Sequence, residues 1–137
     1  MDCLKCGAQM ERKTAVVPGK YGKETFCVKT SAMRCPACRY VTVAAPDLDA
    51  YYRTVADAYR TARRRLTSAE IVAARRRMRM SQRQFAAYLG VGEASVKRWE
   101  LGQVQDKAMD ELIRLKTEPA YAAKNHSELL SRLSQPR

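Results

Sequence analysis

Two CxxC pairs sit early in the sequence, Cys3-Leu4-Lys5-Cys6 and Cys35-Pro36-Ala37-Cys38. Zn2+ accepts four thiolates in a tetrahedron, and a two-residue gap lets one tight turn offer two sulfurs to a single ion. Cys3, Cys6, Cys35 and Cys38 are therefore the expected ligands of a structural zinc site. No βαβ pattern surrounds either pair, which argues against a thioredoxin-like redox motif. Four thiolates also close the metal's coordination shell. The chain offers no nucleophile–base pair and no phosphate loop, so no enzymatic activity is expected. Cys27 is left over from the set of 5 cysteines and reads as a half-buried strand residue. His126, the single histidine, lies in a polar stretch without a cysteine or carboxylate cluster, and no metal or catalytic role is expected of it.

A different chemistry is suggested by charge. Lys and Arg number 26 against 14 Asp and Glu, a net charge of +12. Such an excess favours a polyanionic partner, most often nucleic acid. It is spread along the chain rather than gathered in a basic tail. No apolar run approaches the length of a membrane span, and Asp2, Lys5 and the first cysteines occupy the place of a signal peptide. A cytoplasmic location is expected, where thiols stay reduced and available to metal.

The elements that must position these residues can be read from the patterning. Residues 1–45 read as a small β-type module: Ala15–Val17, Thr25–Lys29 and Tyr40–Val43 are β-prone runs, and Pro18–Lys23 carries turn chemistry. Its apolar residues are too few for a good core, so zinc must supply much of the folding free energy, on the order of ten kcal/mol. Residues 46–66 predict a helix, with Leu48, Tyr51, Tyr52, Val55, Tyr59, Ala62 and Leu66 at the spacing of one apolar face. This helix is either a connector that docks on a neighbour or a core helix of the second domain. Residues 67–118 are helical throughout. Thr67-x-x-Glu70 and Ser81-x-x-Gln84 are capping boxes, and Gly90 and Gly102 stand where helix C-termini need a left-handed residue. The implied helices cover about 68–79, 81–89, 93–101 and 106–117. A C-terminal segment, 119–137, holds a further short helix near 119–132. The fold class expected is α+β.

A tight Gly90-Val91-Gly92 turn between two short helices describes a helix-turn-helix. Ser81-Gln82-Arg83-Gln84-Phe85-Ala86, then Leu89-Gly90-Val91, then Ser95-Val96-Lys97-Arg98-Trp99-Glu100-Leu101-Gly102 closely resembles the Xre/Cro-type DNA-binding domain over 67–118. Ala86, Leu89, Val91 and Val96 would pin the two helices, with Phe85, Ile71, Leu112 and Leu115 completing the core and Trp99 facing inward. Helix 93–101 would then enter the major groove, its first residues nearest the bases. The resemblance places base-reading residues at Glu93, Ala94, Lys97 and Arg98. Arg98 stands out because a guanidinium can bond guanine O6 and N7 together. Gln82, at a helix start, is expected to hold a phosphate, and Ser95 to do the same. The resemblance also implies an internal pair, Arg75 with Glu100. Of Arg75, Arg76, Arg77 and Arg79, only some can face DNA from one helix.

Taken whole, the four-cysteine module, the intervening helix and the Xre-like domain resemble the MqsA/YgiT-type antitoxins. That resemblance implies a zinc module that holds a small messenger-RNA-cleaving ribonuclease toxin. It also implies a C-terminal domain that dimerises and binds a palindromic operator on double-stranded DNA, repressing its own operon. Ala94 replaces an Asn of the best-known member, so the operator should differ. The loop from Gly7 to Arg34 looks specific to this chain, so no toxin-contact residue carries over. The alternative is a stand-alone zinc-containing Xre-family regulator of a phage or mobile element with no toxin partner.

Overall fold

The computed structural model describes residues 1–136. The chain divides into two compact units between Arg64 and Arg65. The helix expected over 46–66 thus lies almost wholly in the first unit, which runs well past residue 45. Of the expected C-terminal segment, Arg137 lies outside the described residues. The architecture is α+β: a three-stranded antiparallel sheet followed by six helices.

In the first unit the strands are β1 (Glu11–Tyr21), β2 (Glu24–Arg34) and β3 (Val41–Thr42), in the order β1-β2-β3. The register sets Val17 against Val28 and Tyr21 against Glu24. Gly22-Lys23 alone therefore makes the hairpin loop, and the strands are longer than the β-prone runs suggested. Pro18, Gly19 and Lys20, expected in a turn, lie inside β1. Proline is tolerated there because β1 is an edge strand that need not donate outward. A single 3-10 turn, Ala45–Asp47, leads into α1 (Leu48–Ala62).

Alternation along the hairpin decides which face α1 covers. Val28, Thr30 and Ala32 are buried on one face, while Thr25, Cys27 and Lys29 on the other are exposed. Val55 and Ala56 of α1 are buried, as is Arg60, whose guanidinium donates to Asp57 Oδ1 at 2.8 Å. Tyr21 stacks at a tilt on Tyr59 with centroids 4.5 Å apart, and Phe26 meets the same ring edge-on. Arg63 closes the end of the helix with an ion pair to Glu24. Tyr52, expected on the apolar face, is exposed, and Cys27 is exposed rather than half-buried.

The second unit contains α2 (Ser68–Arg77), α3 (Gln82–Leu89), α4 (Glu93–Leu101), α5 (Lys107–Thr117) and α6 (Pro119–Leu133). Both capping boxes form: Thr67 accepts from Glu70 N and Ser81 from Gln84 N, and each N3 side chain returns the bond. Gly90 ends α3 at φ 78°, in the left-handed region. The core is Leu66, Ile71, Phe85, Ala86, Leu89, Val96, Trp99 and Ile113. Ile113 takes the central place that Leu112 and Leu115 were expected to fill. Leu112 is only partly buried against it. Successive residues of a helix are turned by about 100°, so Ile113 points into the core and Leu112 lies at its margin. A buried polar knot anchors the start of α2: Asp110 accepts from Leu66 N at 2.7 Å and from Gln105 Nε2 at 3.0 Å. α6 buries none of its residues.

Candidate functional site

The two CxxC segments fold into the same small turn. Cys3 N donates to Ala8 O and Gly7 N to Cys3 O, each at 2.8 Å; Cys35 N donates to Tyr40 O at 2.8 Å and Arg39 N to Cys35 O at 3.0 Å. In each turn the residue after the second cysteine has a left-handed backbone, Gly7 at φ 76° and Arg39 at φ 64°. That kink brings the chain back on itself and aims both sulfurs at one point. The paired turns leave Cys3 and Cys35 buried and Cys6 and Cys38 exposed. Met10 and Met33 pack against Cys3 and Cys35 and form the small apolar floor.

The four sulfurs lie within 4.8 Å of one another. Cys3 and Cys38 are 3.6 Å apart, and Cys6 and Cys35 are 3.5 Å apart. Four sulfurs held at about 2.3 Å from one ion stand about 3.8 Å apart. The residues therefore fit a tetrahedrally bound metal ion, and their spacing is well beyond that of a bonded disulfide.

The electrostatics divide the four thiols: Cys3 and Cys35 are lowered, Cys6 and Cys38 raised. Cys35 is pulled down to about 6, first by the Cys38 amide, whose N–H reaches its sulfur at 3.5 Å. Burial works against the Cys3 thiolate, yet amides of Lys5 and Cys6 outweigh it and the thiol falls below its usual value. The Ala8 amide lowers Cys6, but the neighbouring Cys35 and Cys38 sulfurs prevail and push it up to about 12. Cys38 is likewise raised: the Tyr40 amide lowers it, and burial with the Cys3 and Cys35 sulfurs exceeds that. A metal ion would supply the positive charge that favours the thiolate form of all four. These amide donors were invisible in the sequence, since any residue type provides them.

In the second unit, α4 buries Val96 and Trp99 and exposes Ala94, Lys97 and Arg98. Glu93 and Ser95 are half-buried. Lys97 Nζ lies 3.3 Å from Glu93 Oε1, one helical turn away, and Arg98 donates weakly to Ser95 Oγ at 3.4 Å. Beneath this surface Arg75 Nε donates to Glu100 Oε1 at 2.7 Å, in a pair only 14% and 7% exposed. Arg75 also donates to Met80 O at 3.0 Å. Gln82 Nε2 donates to the other oxygen of Glu100. Gln82, expected to face a phosphate, is therefore also tied inward, a contact that spacing alone did not disclose. Arg76, Arg77 and Arg79 are exposed around the same end of α2. His126 is exposed on α6, and no further cluster of metal-ligating groups occurs among the described residues.

What the geometry defines is an α+β protein able to hold a metal ion on four cysteine sulfurs. A family model for the antitoxin component of bacterial toxin–antitoxin systems, MqsA, matches residues 1–133, and the chain belongs to that family. No curated protein matches it in a sequence comparison. Among the described residues no helix is long and apolar enough to cross a membrane.

Proposed function

We propose that this antitoxin binds Zn2+ on Cys3, Cys6, Cys35 and Cys38. On this reading its first unit neutralises a small ribonuclease toxin, and its second unit binds the promoter of its own operon as a homodimer. The family match over 1–133 is the observation that carries this reading. The cysteine geometry supports zinc, because a closed set of four thiolates suits a d10 ion that needs no open position. Its role is structural: it ties the two CxxC turns together and so fixes where the hairpin begins and ends.

The DNA-binding part rests on α3, its three-residue turn and α4, read as a helix-turn-helix. Trp99 and Val96 hold α4 down while Ala94, Lys97 and Arg98 stay outward. Arg98 is assigned to a guanine edge, Ala94 to a thymine methyl and Lys97 to phosphate or base. Glu93 and Ser95 flank them, as a cytosine-amine acceptor and a phosphate donor. A Gln amide nitrogen carries two hydrogens. One of Gln82 goes to Glu100, and the other is assigned to a phosphate. One helix reads only a half-site, so a dimer on a palindrome with half-sites about 34 Å apart is expected.

Footprinting of the full chain on the DNA upstream of its gene tests this half of the reading. The expected result is paired protection with internal two-fold symmetry, and affinity that falls steeply as salt rises. Protection without symmetry, or no preference over random DNA, overturns it.

A further inference from the structure

Each of the two cysteine turns offers one buried sulfur, Cys3 or Cys35, and one exposed sulfur, Cys6 or Cys38. The sulfur contacts run between the turns: Cys3 meets Cys38 at 3.6 Å, and Cys6 meets Cys35 at 3.5 Å. Each contact therefore joins an exposed sulfur to a buried one. Together the two contacts use every sulfur once, so closing one pair leaves the other pair whole. The buried sulfurs are held in place by amides of their own turns. Cys3 Sγ accepts from Lys5 N at 3.4 Å, and Cys35 Sγ accepts from Cys38 N at 3.5 Å. The paired cysteines lie 35 and 29 positions apart. They stand on either side of the hairpin, before β1 and after β2. Cys27, the remaining thiol, is exposed on β2 and lies outside the cluster.

We propose that the four cysteines are also a redox clasp. A peroxide exchanges the bound metal for two disulfides across the turns, Cys3–Cys38 and Cys6–Cys35, and the hairpin stays tied. The proposal rests on the reading above that the cluster holds Zn2+. Oxidation starts where the sulfur is accessible. The exposed thiolate of Cys6 or Cys38 attacks a peroxide oxygen: an S–O bond forms, the O–O bond breaks and hydroxide leaves. The buried thiolate in contact with that sulfur then displaces a second hydroxide from the sulfenic acid, and the S–S bond forms. Two peroxides take up the four electrons that four thiolates lose, four hydroxides leave, and the ion is left without ligands. Closure is short, because sulfurs 3.5 and 3.6 Å apart must approach to about 2.05 Å. A bridge within one turn closes a two-residue gap and leaves the turns unconnected. A bridge across the turns constrains the whole hairpin, and stabilisation grows with the loop that is closed. Losing the ion to an oxidant should therefore differ from losing it to a chelator, which leaves nothing between the turns.

The test treats the full chain, loaded with zinc, with hydrogen peroxide and digests it with trypsin without reduction. Cleavage after Lys5, Arg12, Arg34 and Arg39 puts Cys3, Cys6 and the Cys35-Cys38 segment on three peptides. The expected product is all three peptides linked together. Fragmentation between Cys35 and Cys38 should then assign Cys3 to Cys38 and Cys6 to Cys35. Zinc release, read with a chromophoric chelator, should be complete at about two peroxides per ion. The β-sheet signal should survive excess chelator until a reductant is added. Cys27→Ser should leave all of these readings unchanged. Bridges within the turns give instead one linked pair of peptides and a separate peptide with its own disulfide, and that result overturns the proposal. So does any other pairing, sulfinic acid at Cys6 or Cys38, cross-linking of one chain to another, or a sheet signal lost together with the zinc. If the purified chain carries no zinc, the metal reading itself fails, and the digest still decides the pairing.

Discussion

Glu100 shows how much a single carboxylate can organise. It holds Arg75 on one oxygen and Gln82 on the other, joining the end of α2, the start of α3 and the body of α4. Breaking a buried pair leaves its partner charged in a poor solvent. Glu100→Ala should destabilise the second unit by roughly 3 kcal/mol, read as a lower denaturation midpoint. An unchanged midpoint would mean the pair is merely present. In the first unit, Glu24 is held below the usual carboxylate range, first by its hydrogen bond to Arg63. A lowered folded-state pKa contributes stability that is present above the unfolded value of about 4.5 and is lost as pH falls through the folded value. The first unit should therefore lose stability on acidification through this window, and Glu24→Gln should flatten that dependence. A Glu24→Gln titration that overlays the parent's would contradict it. Most of this scale was hidden in the sequence. Arg75 and Glu100 were legible from a resemblance, but Gln82's inward bond depends on a rotamer, and the amides that tune Cys35 and Cys3 belong to no side chain.

At the scale of elements, the helices of the second unit were legible almost to the residue. Their capping boxes and closing glycines act locally, on neighbours three or four positions away. The strands were not. β1 and β2 extend well beyond the β-prone runs because cross-strand pairing and the cover of α1 outweigh the weak local preferences of Lys, Ser and Gly. Propensity alone places Pro18 in a turn, and only the edge position of β1 makes it acceptable in a strand. The two CxxC turns were legible as ligands, yet their shared dependence on a left-handed residue was signalled only by Gly7, since Arg39 does the same work without looking like it. Nothing crowds a Cβ at Gly7, so Gly7→Ala should cost only the conformational penalty, about 1 kcal/mol. It should appear as earlier metal release in a chelator titration, and release indistinguishable from the parent's would refute the role of that kink. Gly90→Ala carries the same penalty at the end of α3.

At the scale of the molecule, the two units are built on different principles. The second has an apolar core around Phe85, Val96, Trp99 and Ile113. Around the cysteines, the first has little beyond Met10 and Met33 and leans on the metal that those cysteines are proposed to hold. Stripping zinc with a chelator should therefore abolish the β-sheet signal of the first unit and leave the melting of the second intact. Loss of both transitions together, or of neither, would contradict this division. The sequence marked the cysteine module, a helix over 46–66 and the helical region from 67, but left open which neighbour that helix serves. The 46–66 helix packs its Val55 and Ala56 on the hairpin, and an amphipathic pattern says that a helix must dock without saying on what.

Growth rescue shows whether this chain neutralises a toxin, as proposed: the small protein of the neighbouring reading frame is expressed alone, and then together with the full chain. The neighbour should arrest growth, the chain should restore it, and replacing Cys35 with serine should abolish the rescue. A harmless neighbour, or an arrest that the chain leaves untouched, would rule out toxin neutralisation and leave a plain zinc-containing regulator whose DNA targets must be sought elsewhere.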